Sequence, residues 1–127
     1  MRPLRCLIVD DSRRFYDEAR GLLEHEGVAV VGVAATRDEA VRLAKALRPD
    51  LALIDIGLGE ESGFDVAHSL VDTSSDDPPA IIFISTHDEG EFGGLIAANP
   101  AIGFIAKTEL SGERIRRLLS DSRFRGT

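Results

Sequence analysis

Residues 51–58 read LALIDIGL, an apolar run from Leu51 to Ile54 that meets the carboxylate of Asp55 and then a glycine-rich loop. An apolar run this short, bounded by charge and glycine, predicts a buried strand whose last side chain emerges at the end of a sheet. Asp55 is therefore expected at a mouth, not in a core. The same punctuation recurs outward from this stretch. LIVDDS puts Asp10 and Asp11 after one run, IIFIST puts Ser85 after another, and GFIAK puts Lys107 after a third. In an open parallel sheet, ligands bind beyond the carboxyl ends of the strands where the strand order reverses, so these residues are expected to converge on one pocket.

In chain order, Leu4 to Val9 predicts the first strand, with Ser12 standing where a helix N-cap is wanted. Phe15, Ala19, Leu22 and Leu23 recur at helical spacing, and Gly27 ends that helix. Val28 to Ala34 is a β-branched run, hence a second strand. Thr36 and Glu39 have capping-box spacing ahead of a helix with Ala40, Leu43, Ala44 and Leu47 inward, and Pro49 stops it. The strand ending at Asp55 leads through GLGEESG into a helix carrying Phe64, Ala67 and Val71, and Ala80 to Ile84 supplies the fourth strand. The segment DEGEFGGLIAANP predicts a short fourth helix, weakened because each of Gly90, Gly93 and Gly94 lowers helix propensity by up to about 1 kcal/mol relative to alanine. Ile102 to Ala106 is the fifth strand, and Ser111 caps a last helix with Ile115, Leu118 and Leu119 inward. Such alternation predicts an α/β fold, a doubly wound five-stranded parallel sheet with five helices on both faces. Residues 1–122 are expected to form one domain, with 123–127 a tail or the start of a linker.

Composition narrows the function. The 127 residues suffice for one domain with a core, and no apolar run approaches the length that crosses a bilayer. With no signal-like N-terminus, a cytoplasmic location is the expectation. The lone Cys6 lies inside the first apolar run and reads as a small core hydrophobe. A net charge of −7 argues against direct nucleic-acid binding, which demands a basic face. The carboxylates are better suited to a cation.

Asp10, Asp11 and Asp55 come from adjacent loops and repel one another unless a cation sits between them. Magnesium suits such a site, because it takes oxygen ligands and usually keeps waters, and the backbone carbonyl of Gly57 is a plausible neutral ligand. A carboxylate beside that metal is a competent nucleophile towards phosphorus, giving an aspartyl phosphate. The metal, the Lys107 ammonium and the Ser85 hydroxyl would neutralise the equatorial oxygens from three directions. Thr86 is also a hydroxyl, but Ser85 directly follows the apolar run and is the expected phosphate ligand. Of the three histidines, His25 and His68 fall on helices, whereas His87 lies two residues past Ser85 at the pocket rim.

On these residues the chain resembles the receiver domains of two-component response regulators over nearly its whole length. The acidic pair Asp10 and Asp11, the acceptor Asp55, the hydroxyl of Ser85 and Lys107 follow the first, third, fourth and fifth strands in the family's order. Gly63, eight residues past the acceptor, and the aromatic Phe104, three before the lysine, also stand where the family places them. The resemblance implies a flavodoxin-like fold with strand order 2-1-3-4-5 and magnesium-dependent phosphorylation of Asp55 by a histidine kinase or phosphotransfer protein. It also implies slow self-dephosphorylation with no turnover of an external substrate. Ser85 and Phe104 would act as the switch, and the fourth helix, fifth strand and last helix would be the output face. Arg114, Arg116 and Arg117 on that face would meet acidic residues such as Glu89 and Glu91 in a second copy or a downstream effector.

Two positions depart from the family pattern. Gly59 stands where members often carry a proline, which loosens the loop after Asp55, and Thr108 stands where a proline often follows the lysine. A non-proline cis bond costs roughly 2.5–4 kcal/mol, so Thr108 speaks against a cis peptide there. The competing reading is a pseudo-receiver, a binding module that works without phosphorylation; the complete acidic, hydroxyl and lysine set argues against it. A flavodoxin would need a hydroxyl-rich loop where this chain has DDS.

Overall fold

The computed structural model describes residues 3–58, 61–73, 78–86 and 100–125, with side chains to residue 121. Five parallel strands, β1 (Leu4–Val9), β2 (Val28–Ala34), β3 (Leu51–Asp55), β4 (Ala80–Ser85) and β5 (Gly103–Ala106), lie side by side in the order β2-β1-β3-β4-β5. That is the expected order, and it reverses between β1 and β3. Four helices are described: α1 (Arg13–His25), α2 (Arg37–Leu47), α3 (Gly63–Thr73) and α4 (Gly112–Arg125). The expected helix within DEGEFGGLIAANP, like Gly59 and His87, lies outside the described residues.

Strand periodicity builds the two-faced core. Alternate residues point to opposite sides of a sheet, so Leu7, Val9, Ala52, Ile54, Ile81 and Phe83 pack on one face with Ala40 of α2 and Val66 and Leu70 of α3. Cys6, Ile8, Leu51, Leu53, Ile82 and Ile84 pack on the other with Ala19 and Leu23 of α1 and Ile115 of α4. Because both faces are covered, β3 reads as an unbroken apolar run instead of an alternating one. Leu22 departs from the expected stripe of α1 and is 43% exposed.

Side-chain caps fix where the helices begin. Ser12 Oγ accepts from Phe15 N at 3.3 Å, Thr36 Oγ1 from Glu39 N at 3.2 Å and Ser111 Oγ from Arg114 N at 3.1 Å. Each satisfies an N–H that the first helical turn leaves without an intrahelical partner. The Glu39 carboxylate reaches back to Ala35 N at 2.7 Å, one residue earlier than a standard capping box. Gly27, at φ +85°, turns the chain out of α1.

Gly57–Leu58 pairs antiparallel with Glu61–Ser62 in a short hairpin, and Glu61 Oε1 accepts from Arg37 N at 3.0 Å, tying the loop to the start of α2. Among the described residues every peptide bond is trans, Lys107–Thr108 included.

Candidate phosphoacceptor site

Strand register sets the level of each reactive group. Val9 pairs with Ile54, so Asp10 and Asp55 follow at the same height on neighbouring strands. Asp55 pairs with Ile84 and Ser85 with Ala106, so Ser85 and Lys107 come one step further along. The backbone locks the ends of these strands: Asp10 N donates to Ala34 O at 2.9 Å and Ile56 N to Ile84 O at 3.1 Å. The sheet's carboxyl edge thereby brings together Asp10, Asp11, Asp55 and Lys107, with Ser85 beside them.

Asp10 is fully buried and Asp55 and Ser85 nearly so, an expensive arrangement for carboxylates without partners. Lys107 supplies the counter-charge. Its Nζ lies 2.6 Å from Asp10 Oδ2 and 3.0 Å from Asp55 Oδ2, and its side chain is only 12% exposed. The remaining oxygens engage the turns: Asp10 Oδ1 accepts from Ser12 N at 2.8 Å and Asp55 Oδ1 from Gly57 N at 3.0 Å. The buried Asp10 Oδ2 thus has the Lys107 ammonium as its partner.

Protonation follows from this setting. Burial lifts the Asp55 carboxyl above its ordinary value, Lys107 pulls it down without cancelling the rise, and the Asp10 charge adds to it. For Lys107, burial works against the charge, but its contacts to Asp10 and Asp55 outweigh that and hold its pKa above the usual lysine value. The two shifts thus have different origins: Asp55 is short of solvent, Lys107 is rich in anions. Cys6, away from the site, is pushed up to about 12 by burial.

One oxygen from each of Asp10, Asp11 and Asp55 lies within 4.8 Å of the others. Three clustered carboxylates with one lysine fit a hard divalent cation. Gly63, at the start of α3, shows why the end of β3 needs a glycine opposite it. A Cβ there would overlap the carbonyl oxygen of Asp55 and come within 2.8 Å of Ile56 Cα. Its N–H donates to Ile56 O at 2.8 Å, so α3 starts directly against the backbone at the end of β3.

Two features were missed by sequence reasoning. Phe15, expected as core, has its ring face 4.3 Å from Lys107 Nζ. Together they help line a cleft of about 350 Å³ beside the site, with Ser12, Leu22 and Thr86. A helical repeat marks Phe15 as apolar but cannot say that its neighbour will be a cation 92 residues on. Thr86 is exposed while Ser85 is buried. Phe104 is half-buried on β5, level with Phe83, and packs against the α2 and α3 side of the core. On α4, Arg114 meets Glu109 at 3.3 Å, Arg117 meets Glu113 at 3.2 Å, and Arg116 donates to Glu26 O at 2.7 Å, so all three arginines have partners within the chain.

Residues 6–119 match the family model for the response regulator receiver domain. The chain is 34% identical over 87 residues to the sensory transduction protein LytT of Bacillus cereus, covering 68% of this chain and 35% of that protein. It is 34% identical over 124 residues to the protein-glutamate methylesterase/protein-glutamine glutaminase of Alkalilimnicola ehrlichii, covering 93% of this chain and 31% of that protein. The chain therefore spans about a third of the length of these curated relatives. Among solved structures it is similar to the signal receiver domain of a modulated diguanylate cyclase from Desulfovibrio desulfuricans G20, with 33% identity, a TM-score of 0.76 and coverage of 93% and 91%. The signal receiver domain of NarL from Mycobacterium tuberculosis gives 27% identity, a TM-score of 0.80 and coverage of 97% and 98%. Because the family match takes in all five strands and the acidic edge they build, this chain belongs to the response regulator receiver domains, the phosphoacceptor signalling modules of two-component systems.

Proposed function

We propose that Asp55 is the phosphoacceptor, taking its phosphoryl group from a histidine kinase or phosphotransfer protein in the cytoplasm. The observation that carries this reading is the Lys107 ammonium held 2.6 Å from Asp10 and 3.0 Å from Asp55 at the carboxyl edge of the sheet. An Asp55 carboxylate oxygen attacks phosphorus, and the bond from phosphorus to the donor's imidazole nitrogen breaks with its electron pair leaving on that nitrogen. Lys107 stands where it neutralises charge on the transferring group, and Ser85 offers its hydroxyl to a second oxygen. Asp10, Asp11 and Asp55, with the Gly57 carbonyl, would hold magnesium, which when bound screens the negative charge of acceptor and phosphoryl group alike. The domain's chemistry is limited to this transfer onto itself and to slow loss of the group to water.

The output follows from the same geometry. A phosphoryl group on Asp55 draws Ser85 inward, Phe104 turns on the neighbouring strand, and the surface of β5 and α4 passes the change to an effector or a second copy. Mass spectrometry after incubation with magnesium and acetyl phosphate tests the acceptor. Amide exchange with and without beryllofluoride tests the output face, and an unchanged 100–119 region beside a changed α1 face would overturn it.

A further inference from the structure

We propose that Phe15 is a positioning residue for phosphoryl transfer, its ring face holding the Lys107 ammonium in place while the charge on Asp55 changes; this rests on Asp55 being the acceptor. Three neighbours define where the cation sits: Asp10 at 2.6 Å, Asp55 at 3.0 Å and the Phe15 ring centroid at 4.3 Å. Of these, Asp55 alone changes its electrostatic character through the reaction, while the Asp10 carboxylate and the ring keep theirs. As the bond from Asp55 to phosphorus forms and the donor bond breaks, the Asp55 oxygen facing Lys107 loses much of its negative charge and the phosphoryl oxygens become the better partners. A cation over an aromatic face is attracted by the ring quadrupole, more strongly when shielded from water, and this ammonium is largely shielded. The ring is itself well anchored. Phe15 N donates to the cap Ser12 Oγ at 3.3 Å, Tyr16 N donates to Ser12 O at 3.1 Å, and the side chain packs on the α1 and α4 side of the core. Ser12 N in turn donates to Asp10 Oδ1 at 2.8 Å, so one turn of chain sets both the ring and a carboxylate around the same lysine.

The test uses the whole chain with mono-, di- and trifluorinated phenylalanine at position 15, which drains the ring face of negative potential while nearly preserving its shape. The rate of Asp55 modification by acetyl phosphate in magnesium is expected to fall stepwise along the series, by about fivefold in all. Phe15→Tyr keeps the wild-type rate within about twofold because its ring face stays negative, and Phe15→Leu matches the trifluorinated ring because neither offers the ammonium a negative face. Melting temperatures that stay level across the fluorinated series, with falling rates, separate this role from packing. A flat series in a protein whose Asp55 is modified overturns the role of Phe15 and leaves the acceptor assignment standing. No modification of wild-type Asp55 overturns both.

Discussion

Lys107 Nζ stands 3.0 Å from Asp55 Oδ2, and the same ammonium is the neighbour that neutralises the fully buried Asp10. One cation thereby bridges two carboxylates on adjacent strands. Removing it leaves a buried charge without compensation, which costs more than the pair itself contributes. Lys107→Met is expected to lower stability at neutral pH by about 2 kcal/mol in magnesium-free buffer, and saturating magnesium to recover part of the loss. Urea melts with and without magnesium measure both effects.

The raised pKa of Asp55 makes stability depend on pH with a definite sign. The folded state holds this proton more tightly than the unfolded chain, so the Asp55 contribution to stability falls as pH rises from the ordinary carboxylate value through the raised one. Lys107, also raised, contributes stability that is present below the usual lysine pKa and lost as pH climbs through its folded value. Without magnesium, the difference in stability between Asp55→Asn and wild type should therefore grow in favour of the variant across the acidic window and level off near neutrality. Magnesium should raise the wild-type melting temperature and diminish that difference. Thermal melts over a pH series, with and without the metal, give the comparison.

Gly63→Ala tests the close approach of α3 to the acceptor. The added methyl group meets the Asp55 carbonyl oxygen and the Ile56 backbone, neither of which is the free end of a flexible side chain. Overpacking of this kind should destabilise the fold by about 2 kcal/mol. It should also slow phosphorylation, because the strand that must shift carries Asp55, the proposed acceptor. Gly57→Ala, where a Cβ meets nothing, should change stability far less, and chemical denaturation distinguishes the two.

Much of this was legible in the chain. The apolar runs ending in Asp10, Asp55, Ser85 and Lys107 encode both the strands and the site, because a parallel sheet sends every strand's carboxyl end to the same edge. Helix starts were equally readable, since Ser12, Thr36 and Ser111 satisfy the first turn with their own hydroxyls. What stayed hidden depends on three-dimensional neighbours. Leu22 fits the helical repeat but lies on the solvent side of α1, as a period of 3.6 residues does not fix how wide the buried stripe is. The hairpin of Gly57–Leu58 and Glu61–Ser62 has no strand-like pattern, being held by the backbone and by Glu61 on the start of α2. Gly63 was recognisable only as a family position; its reason, the Asp55 carbonyl, is a packing fact.

Cys6 offers a check on the core. Fully buried and with its thiol pushed up to about 12, it should resist thiol reagents in the native protein and react at the unfolded rate in denaturant. Rapid labelling under native conditions would mean that β1 is open to solvent.

The central claim is that Asp55 receives the phosphoryl group, and peptide mass spectrometry after acetyl phosphate and magnesium tests it most directly. Wild type should carry one phosphoryl group, located by borohydride reduction to Asp55, and Asp55→Asn should carry none there. Modification of Asp55→Asn to the wild-type level would contradict the account.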